Sequence, residues 1–199
     1  MEKTLRIHYT VFNNDWDLLQ RFLVSSGNPR YELVGNVDLS YRKDIIELKN
    51  LVSVDGDLYL EESSIESLGN LEYVGGYLNL AFSSIQSLGS LKYIDNHLNL
   101  KASLIQSLGD LVRVNGGLLL QKTSIQSLGN LKYVSCYLDL RETPIKSLEN
   151  LEYVGGYLDL RETPIKSFGK VEYVSGDIYL SKNHQIPKKE LTKFRIDHR

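Results

Sequence analysis

Two consecutive stretches of this chain decide its fold: residues 54–73 read VDGDLYLEESSIESLGNLEY, and residues 74–93 read VGGYLNLAFSSIQSLGSLKY. The same pattern recurs every twenty residues to about residue 180. A repeat this short is typical of a solenoid, in which each coil buries its apolar residues only against neighbouring coils. The sequence therefore predicts one continuous repeat domain.

Each coil carries two leucines or isoleucines separated by one residue, such as Leu58 and Leu60 or Leu118 and Leu120. This period of two predicts a short strand whose alternate residues point inward. Further inward columns recur in steps of twenty, beginning at Val54, Ile65, Leu68 and Leu71. A turn pair precedes each strand, as in Gly75-Gly76, and we expect a positive φ there to bend the chain into the strand.

A hydroxyl residue follows each strand, as Ser63 or Thr143, and the last coil has Asn183 instead. The segment Ile178-Tyr179-Leu180-Ser181-Lys182-Asn183 resembles the L-x-L-x-x-N core of leucine-rich repeats. Residues 35–186 are thus similar to short-coil leucine-rich-repeat proteins, including receptor L domains and bacterial or viral types. The resemblance implies a parallel β-sheet on the concave face, with each hydroxyl bonding the backbone of adjacent coils. Because most coils lack the asparagine, a parallel β-helix is the alternative fold.

We expect three segments in one domain: an α/β N-terminal cap over residues 1–34, about eight coils over 35–186, and a short helical C-terminal cap over 187–199. An extra first coil is indicated because residues 35–39 parallel residues 56–60. The N-terminal cap is predicted to contain a strand and then a helix. The strand alternates through Leu5, Ile7, Tyr9 and Val11; Asn13-Asn14 start the helix, whose apolar face holds Trp16, Leu19, Phe22 and Leu23. Leu191 and Phe194 are predicted to cover the last coil.

Composition and motifs exclude several classes of function. The formal net charge is −2, which gives no overall attraction to nucleic acid or anionic membranes. The single cysteine, Cys136, excludes an internal disulfide framework, and no ligand spacing indicates a metal or another cofactor. No catalytic constellation accompanies the scattered histidines, so we expect no enzyme activity. The N-terminus does not resemble a signal peptide and no run is long enough to cross a membrane, which predicts a cytoplasmic protein.

Function is then expected on the outward columns, where residues vary from coil to coil while the inward ones stay constant. Tyrosines are frequent there, and large aromatic residues on a rigid sheet suit binding hot spots. The predicted protein-binding residues are Tyr59, Tyr77, Asn79, Phe82, His97, Asn99, Lys101, Tyr137, Asp139, Arg141, Tyr157, Asp159, Arg161 and Tyr179. A second tyrosine column, from Tyr73 to Tyr173, is predicted to be a structural ladder on the convex flank.

These patterns predict an adaptor or inhibitor that binds a protein or protein complex. The resemblance to bacterial and viral repeat proteins implies a specific version, an antagonist of a bacterial defence complex of the anti-CRISPR kind. One alternative is contact with RNA inside a ribonucleoprotein through the basic C-terminal residues Lys188, Lys189, Lys193 and Arg195. The other is a structural protein that associates with itself end to end.

Overall fold

The computed structural model describes residues 4–198 and shows a parallel β-solenoid of about eight coils. Most coils contribute one short strand to each of two sheets, and within the described residues each sheet has nine strands. The first sheet consists of β1 (Leu5–His8), β2 (Tyr31–Val34), β4 (Leu51–Val54), β6 (Tyr73–Val74), β8 (Tyr93–Ile94), β10 (Arg113–Val114), β12 (Tyr133–Val134), β14 (Tyr153–Val154) and β16 (Tyr173–Val174).

The second sheet contains the leucine strands predicted from the sequence. It consists of β3 (Val37–Asp38), β5 (Leu58–Tyr59), β7 (Leu78–Asn79), β9 (Leu98–Asn99), β11 (Leu118–Leu119), β13 (Leu138–Asp139), β15 (Leu158–Asp159), β17 (Ile178–Leu180) and β18 (Ile196–His198). Pairing follows the repeat, with Leu118 opposite both Leu98 and Leu138. Val37 pairs with Leu58, which confirms the predicted extra first coil.

The third side of each coil, residues 64–70 and their equivalents, is less regular. Isolated parallel bridges link Ser67 to Glu47 and Ser87, and further bridges link Ser107 to Ser127 and Ser147 to Ser167. The six inward columns meet between the three sides and are almost fully buried. Neighbouring coils therefore supply the burial that a single coil lacks, as the repeat period predicts.

The solenoid and its parallel sheet are confirmed, whereas the first sheet, running the length of the stack, was not predicted. The reason given for the turn glycines was wrong. Gly75 and Gly76 do not have positive φ; they are needed because the preceding coil lies too close for a side chain, and a Cβ on Gly76 would lie 2.7 Å from the Gly56 carbonyl carbon. Positive φ occurs instead at the column represented by Gly69.

Hydroxyl residues after the strands also act differently from the expectation. Five of the six bond their own coil; for example, the Ser63 and Thr143 hydroxyls donate to the carbonyl oxygens of Leu60 and Leu140, both at 2.7 Å. The buried Ser103 hydroxyl has no hydrogen-bond partner among the described residues. The five bonds therefore close the turn that leaves the strand, and they do not link adjacent coils.

The N-terminal cap has the predicted strand and helix with different boundaries. Strand β1 ends at His8, and a 3-10 helix (Tyr9–Phe12) follows, so Val11 is exposed. Helix α1 (Trp16–Ser25) begins after Asp15, whose carboxylate accepts from the Leu18 N–H at 2.9 Å. The expected cap residues Asn13-Asn14 instead have left-handed φ values of 54° and 58° between the two helices. Phe22 is not buried with Trp16; its ring packs 5.2 Å from that of Phe12.

The C-terminal cap packs as predicted over the last coil. Helix α2 (Lys188–Leu191) is short, and Leu191 and Phe194 are partly buried against the core. The Phe194 ring meets that of Phe168 edge to face, with centroids 5.2 Å apart. The Glu190 carboxylate accepts from the Phe168 N–H at 2.9 Å, which satisfies a backbone donor that the last coil would otherwise leave open.

Candidate protein-binding surface

An aromatic row runs along the outward surface of the second sheet, which we call the second-sheet face. Tyr137 stacks on Tyr157 with ring centroids 5.2 Å apart and planes 8° apart, and on its other side it stacks on His97 at 5.7 Å. Tyr179 meets Tyr157 edge to face at 6.0 Å. Because each ring lies against the next, the stack covers ring faces, and a partner would meet mainly ring edges and hydroxyl groups.

Gly117 explains how Tyr137 reaches His97, which lies two coils away. A Cβ at position 117 would collide with the Tyr137 ring, so only glycine lets the ring lie over that coil. The Gly117 N–H donates to His97 Nδ1 at 2.6 Å. This bond fixes the imidazole, because Nδ1 acts as the acceptor and the neutral ring then carries its proton on Nε2.

Two buried carboxylates lie beneath this row. Asp139 and Asp159 are only 2% and 3% exposed, although they belong to a column predicted to face outward. Arg141 binds Asp139 at 2.6 Å, and Arg161 binds Asp159 at 2.5 Å. The Arg141 Nε also lies 3.3 Å from Asp159, which joins the two pairs into one network. A buried charge needs such partners, because an isolated one costs several kcal/mol.

The network fixes the arginines beside the aromatic row. Hydrogen bonds from Arg141 to Asp139 and from Arg161 to Asp159 raise the pKa of both guanidinium groups, so both remain charged. The Arg161 guanidinium also lies over the Tyr179 ring, 5.4 Å from its centroid. Ordering these side chains in the free protein lowers the entropy cost of binding.

Tyr59 and Tyr77 continue the aromatic surface toward the N-terminus. Their rings are nearly perpendicular, with centroids 5.9 Å apart. The Tyr59 hydroxyl donates to Asp57 at 3.0 Å, which raises the pKa of this tyrosine, whereas burial raises that of Tyr77. Burial likewise raises the pKa of Tyr137 and Tyr157. These hydroxyl groups therefore remain protonated donors at neutral pH.

The polar residues predicted in this part of the face have mainly local bonds. Asn79 is buried and donates to Glu61 at 3.0 Å, and Asn99 accepts from the Lys101 N–H at 3.1 Å. Lys101 extends over the Phe82 ring at 5.7 Å. Phe82 itself is 51% exposed, with a left-handed φ of 57°. Of these residues, Phe82 presents the largest apolar surface to solvent.

The second tyrosine column belongs to the first sheet, as part of an exposed ladder. Tyr153 stacks on Tyr173 with ring centroids 5.2 Å apart, and it meets the tilted ring of Tyr133 at 6.5 Å. Arg113 replaces tyrosine in its coil and lies over the Tyr133 ring at 5.5 Å. Tyr93 and Tyr173 are about half exposed. Here the Tyr133 hydroxyl donates to Glu152 at 2.9 Å, and both residues are partly accessible to solvent.

The basic residues predicted to contact nucleic acid do not form one group. Lys188 and Lys189 lie on helix α2, and Lys193 follows it. Arg195 adjoins the second sheet, where its Nε lies 2.6 Å from an Asp177 carboxylate oxygen. That ion pair removes Arg195 from the free positive charges of the cap.

Sequence reasoning missed two glutamates that bind backbone amides between coils. Glu149 stands in the column that is otherwise glycine, and one carboxylate oxygen accepts from the Leu128 and Gly129 N–H groups and the Ser127 hydroxyl at 2.8–3.2 Å. Glu190 plays the same part at the last coil. The break in the glycine column was a readable signal, because a left-handed φ disfavours other residues.

Comparison with known proteins gives no family assignment: no family model matches the chain, and no curated protein or solved structure matches it significantly. Among residues 4–198 no group of three or more histidine, cysteine, aspartate or glutamate side chains is arranged to hold a metal ion. Within the same residues, no helix is long and apolar enough to span a bilayer. The surface must therefore be interpreted from its own geometry.

Proposed function

We propose that this protein is a non-enzymatic binding module that recognises another protein through its second-sheet face. The observation that carries the proposal is the stacked row of His97, Tyr137 and Tyr157 beside two arginines held by buried aspartates. Tyrosine and arginine are the residues most enriched at binding hot spots. A row already ordered before binding has less conformational entropy to lose.

The chemistry of the row favours a protein partner with hydrogen-bond acceptors and apolar side chains. Ring edges offer apolar contact, while protonated tyrosine hydroxyls and the outer N–H groups of Arg141 and Arg161 offer donors. The arginine charges are largely balanced by Asp139 and Asp159, so strong attraction to a polyanion is not expected at this position. Backbone carbonyls of a docked segment would satisfy these donors.

We further propose that such binding makes the protein an adaptor or an inhibitor, acting in the cytoplasm. Kinship with leucine-rich-repeat proteins of short coil length belongs to the same proposal and rests on the Ile178–Asn183 motif. The most specific version is an antagonist of a bacterial defence complex. It rests on the resemblance alone.

Affinity capture tests the proposal. The intact protein and a Tyr157→Ala/Arg161→Ala variant are immobilised, exposed to native-host lysate with and without nuclease, and the captured proteins are identified by mass spectrometry. Removing one ring of the stack and one guanidinium should abolish capture of a specific protein, with or without nuclease. Because Arg161 is one of two arginines paired with the buried Asp159, we expect some loss of thermal stability, and capture is compared at a temperature well below the melting of both forms.

Two results would contradict the proposal. Equal capture by both forms would mean that the second-sheet face is not the binding surface. Capture that disappears on nuclease treatment would mean that the protein was recovered through nucleic acid. Control melting curves of the variant are needed, because an unfolded variant would lose binding for an unrelated reason.

A further inference from the structure

The third side of the solenoid changes its charge toward the C-terminus. One exposed column reads Glu66, then Gln86, Gln106 and Gln126, and finally Lys146 and Lys166. The last two are direct neighbours, because the Lys166 N–H donates to the Lys146 carbonyl oxygen at 2.9 Å. Two lysines thus project from adjacent coils on the same surface.

Helix α2 brings further lysines to the same end of the solenoid. Glu190 places the helix against the last coil through its bond to the Phe168 N–H. Lys193 lies next to Phe168 and Val171, lining a small pocket of about 110 Å³. We call this set of exposed lysines the basic corner: Lys146, Lys166, Lys170, Lys188, Lys189 and Lys193.

The lysines of the basic corner form no close ion pairs among the described residues, although the carboxylates of Glu149 and Glu190 lie nearby. Within the described part of the chain, none of the six lysines forms an ion pair with a carboxylate. Lys170 donates to the neutral Asn150 amide at 2.9 Å. The nearby Glu149 and Glu190 each direct a carboxylate oxygen onto backbone N–H groups. Elsewhere, by contrast, Lys132 pairs with Glu152 and Lys122 with Glu142.

We propose that the basic corner binds the phosphate backbone of nucleic acid, independently of the second-sheet face. All six groups are lysines, which contact phosphate as point charges and do not fix a planar ligand as arginine does. Duplex DNA carries one charge per about 1.7 Å of its axis and releases counterions when lysines replace them. An acidic peptide offers at most one carboxylate per residue, or about 3.3 Å of extended chain. The denser polyanion fits the flexible lysine cluster better.

The basic corner differs from the set of basic C-terminal residues predicted from the sequence. It excludes Arg195, which pairs with Asp177, and it includes Lys146 and Lys166 from the repeats. Because contacts are to phosphates, recognition is independent of base sequence and weakens steeply with salt. The protein is thereby expected to bind nucleic acid on one side and a protein on another.

Fluorescence anisotropy with the full chain provides the test. The probes are labelled RNA of mixed sequence, about 20 nucleotides long, and a DNA duplex of about 20 base pairs, titrated between about 50 and 200 mM salt. The test variant is Lys146→Gln/Lys166→Gln, since glutamine occupies this column in three other coils and should not disturb folding. A second variant is Lys188→Gln/Lys189→Gln. The matched control is Lys92→Gln/Lys132→Gln, which removes the same charge from residues that immediately precede the first-sheet strands β8 and β12.

Each test variant should weaken RNA binding roughly tenfold and reduce the slope of log Kd against log salt by about 1.4. The control variant and Tyr157→Ala/Arg161→Ala should bind as the unmodified protein does. Equal weakening in the control would overturn the proposal, because total charge would then explain binding. Failure of both probes to bind at the lowest salt would also overturn it. So would tighter binding of a labelled polyglutamate peptide than of either nucleic acid, which would identify an acidic protein as the ligand.

Discussion

Two tyrosine rows run along this solenoid, and they differ in what holds them. In the second-sheet face, Tyr137 and Tyr157 stand beside arginines anchored by the buried Asp139 and Asp159. In the first sheet, the tyrosines repeat at one position, and a hydroxyl such as that of Tyr133 bonds a partly accessible carboxylate, that of Glu152. Repetition alone can produce the second kind of row, since each coil copies its neighbour. The buried ion-pair network also lies in two identical copies, residues 137–147 and 157–167, but it additionally holds its arginines in place.

The number of exposed aromatic residues therefore does not identify the binding surface. Tyr93 and Tyr173 are more exposed than Tyr157, but among the described residues no arginine held by a buried carboxylate lies beside them. Side chains ordered in the free state lose less entropy on binding, so the second-sheet face has the advantage at equal area. The following predictions test that comparison, beginning with the largest effect.

Both rows depend on one core, so a charge in the core should destroy both. Leu118 is fully buried between Leu98 and Leu138. Leu118→Asp leaves an unpaired carboxylate there and should destabilise the fold by about 3–5 kcal/mol or more. Circular dichroism in a urea titration measures the loss. An unchanged transition midpoint would show that the inward columns are assigned incorrectly.

Gly116 and Gly117 are adjacent, but a side chain at Gly116 would meet backbone atoms and one at Gly117 would meet an aromatic ring. A Cβ on Gly116 would lie 2.6 Å from the Asn96 carbonyl carbon and the His97 nitrogen, which cannot move easily. Gly116→Ala should therefore cost about 1–3 kcal/mol. Gly117→Ala meets only the Tyr137 ring, so we expect a smaller cost, below about 1 kcal/mol, with the ring displaced from His97.

Urea denaturation and the ring-proton chemical shifts of Tyr137 measure these two outcomes. Equal destabilisation by both substitutions would contradict the assignment of Gly117 as the space for Tyr137. Unchanged ring shifts in Gly117→Ala would do the same.

The buried network should matter more to stability than its counterpart in the first sheet. Asp159→Asn removes the charge shared by Arg141 and Arg161 and should cost about 1–3 kcal/mol. Glu152→Gln weakens partly accessible contacts with Tyr133 and Lys132 and should destabilise the fold less than Asp159→Asn does. Parallel thermal unfolding of the two variants compares them. If Glu152→Gln were the more destabilising, the contrast between the rows would be wrong.

The smallest expected effect concerns ionisation in the first sheet. The hydrogen bond from Tyr73 to Asp95, at 2.5 Å, raises the pKa of this tyrosine to about 12. Its pKa in the unfolded chain is near 10. The folded state holds the proton more tightly, so the contribution to stability is complete below pH 10 and is lost as pH rises toward 12.

Tyr73→Phe should remove that part of the alkaline destabilisation. Unfolding midpoints measured from pH 9 to pH 12 for both forms provide the check. Identical pH profiles would indicate that the bond to Asp95 does not persist in solution.

The repeat predicted most of the fold because identical residues at a fixed period must occupy equivalent places. It therefore predicted the burial of Leu58 and Leu60, the first coil at Val37, and the packing of Phe194 over the last coil. It did not predict the first sheet, since one tyrosine and one valine per coil carry no alternation to read. The N-terminal cap boundaries also escaped prediction, because no repeat constrains Asn13 or Asp15.

The candidate site was predicted as a set of positions but not as a geometry. Asp139 and Asp159 belong to a column that alternates outward, yet both are buried and paired with arginines. Whether a carboxylate pairs within its own chain or awaits a partner depends on three-dimensional distances that spacing does not give. The contact of Tyr137 with His97 depends likewise on the missing side chain at Gly117.

The most direct test of recognition by the second-sheet face is calorimetric titration of the captured partner against three forms of the protein. These are the unmodified chain, Tyr157→Ala/Arg161→Ala, and Lys132→Ala/Tyr153→Ala, which removes a tyrosine and a cation from the first-sheet side. We predict that the first variant loses at least tenfold in affinity, about 1.4 kcal/mol, while the second binds like the unmodified chain. Loss of affinity in the second variant alone would place the binding surface on the first sheet and contradict the account.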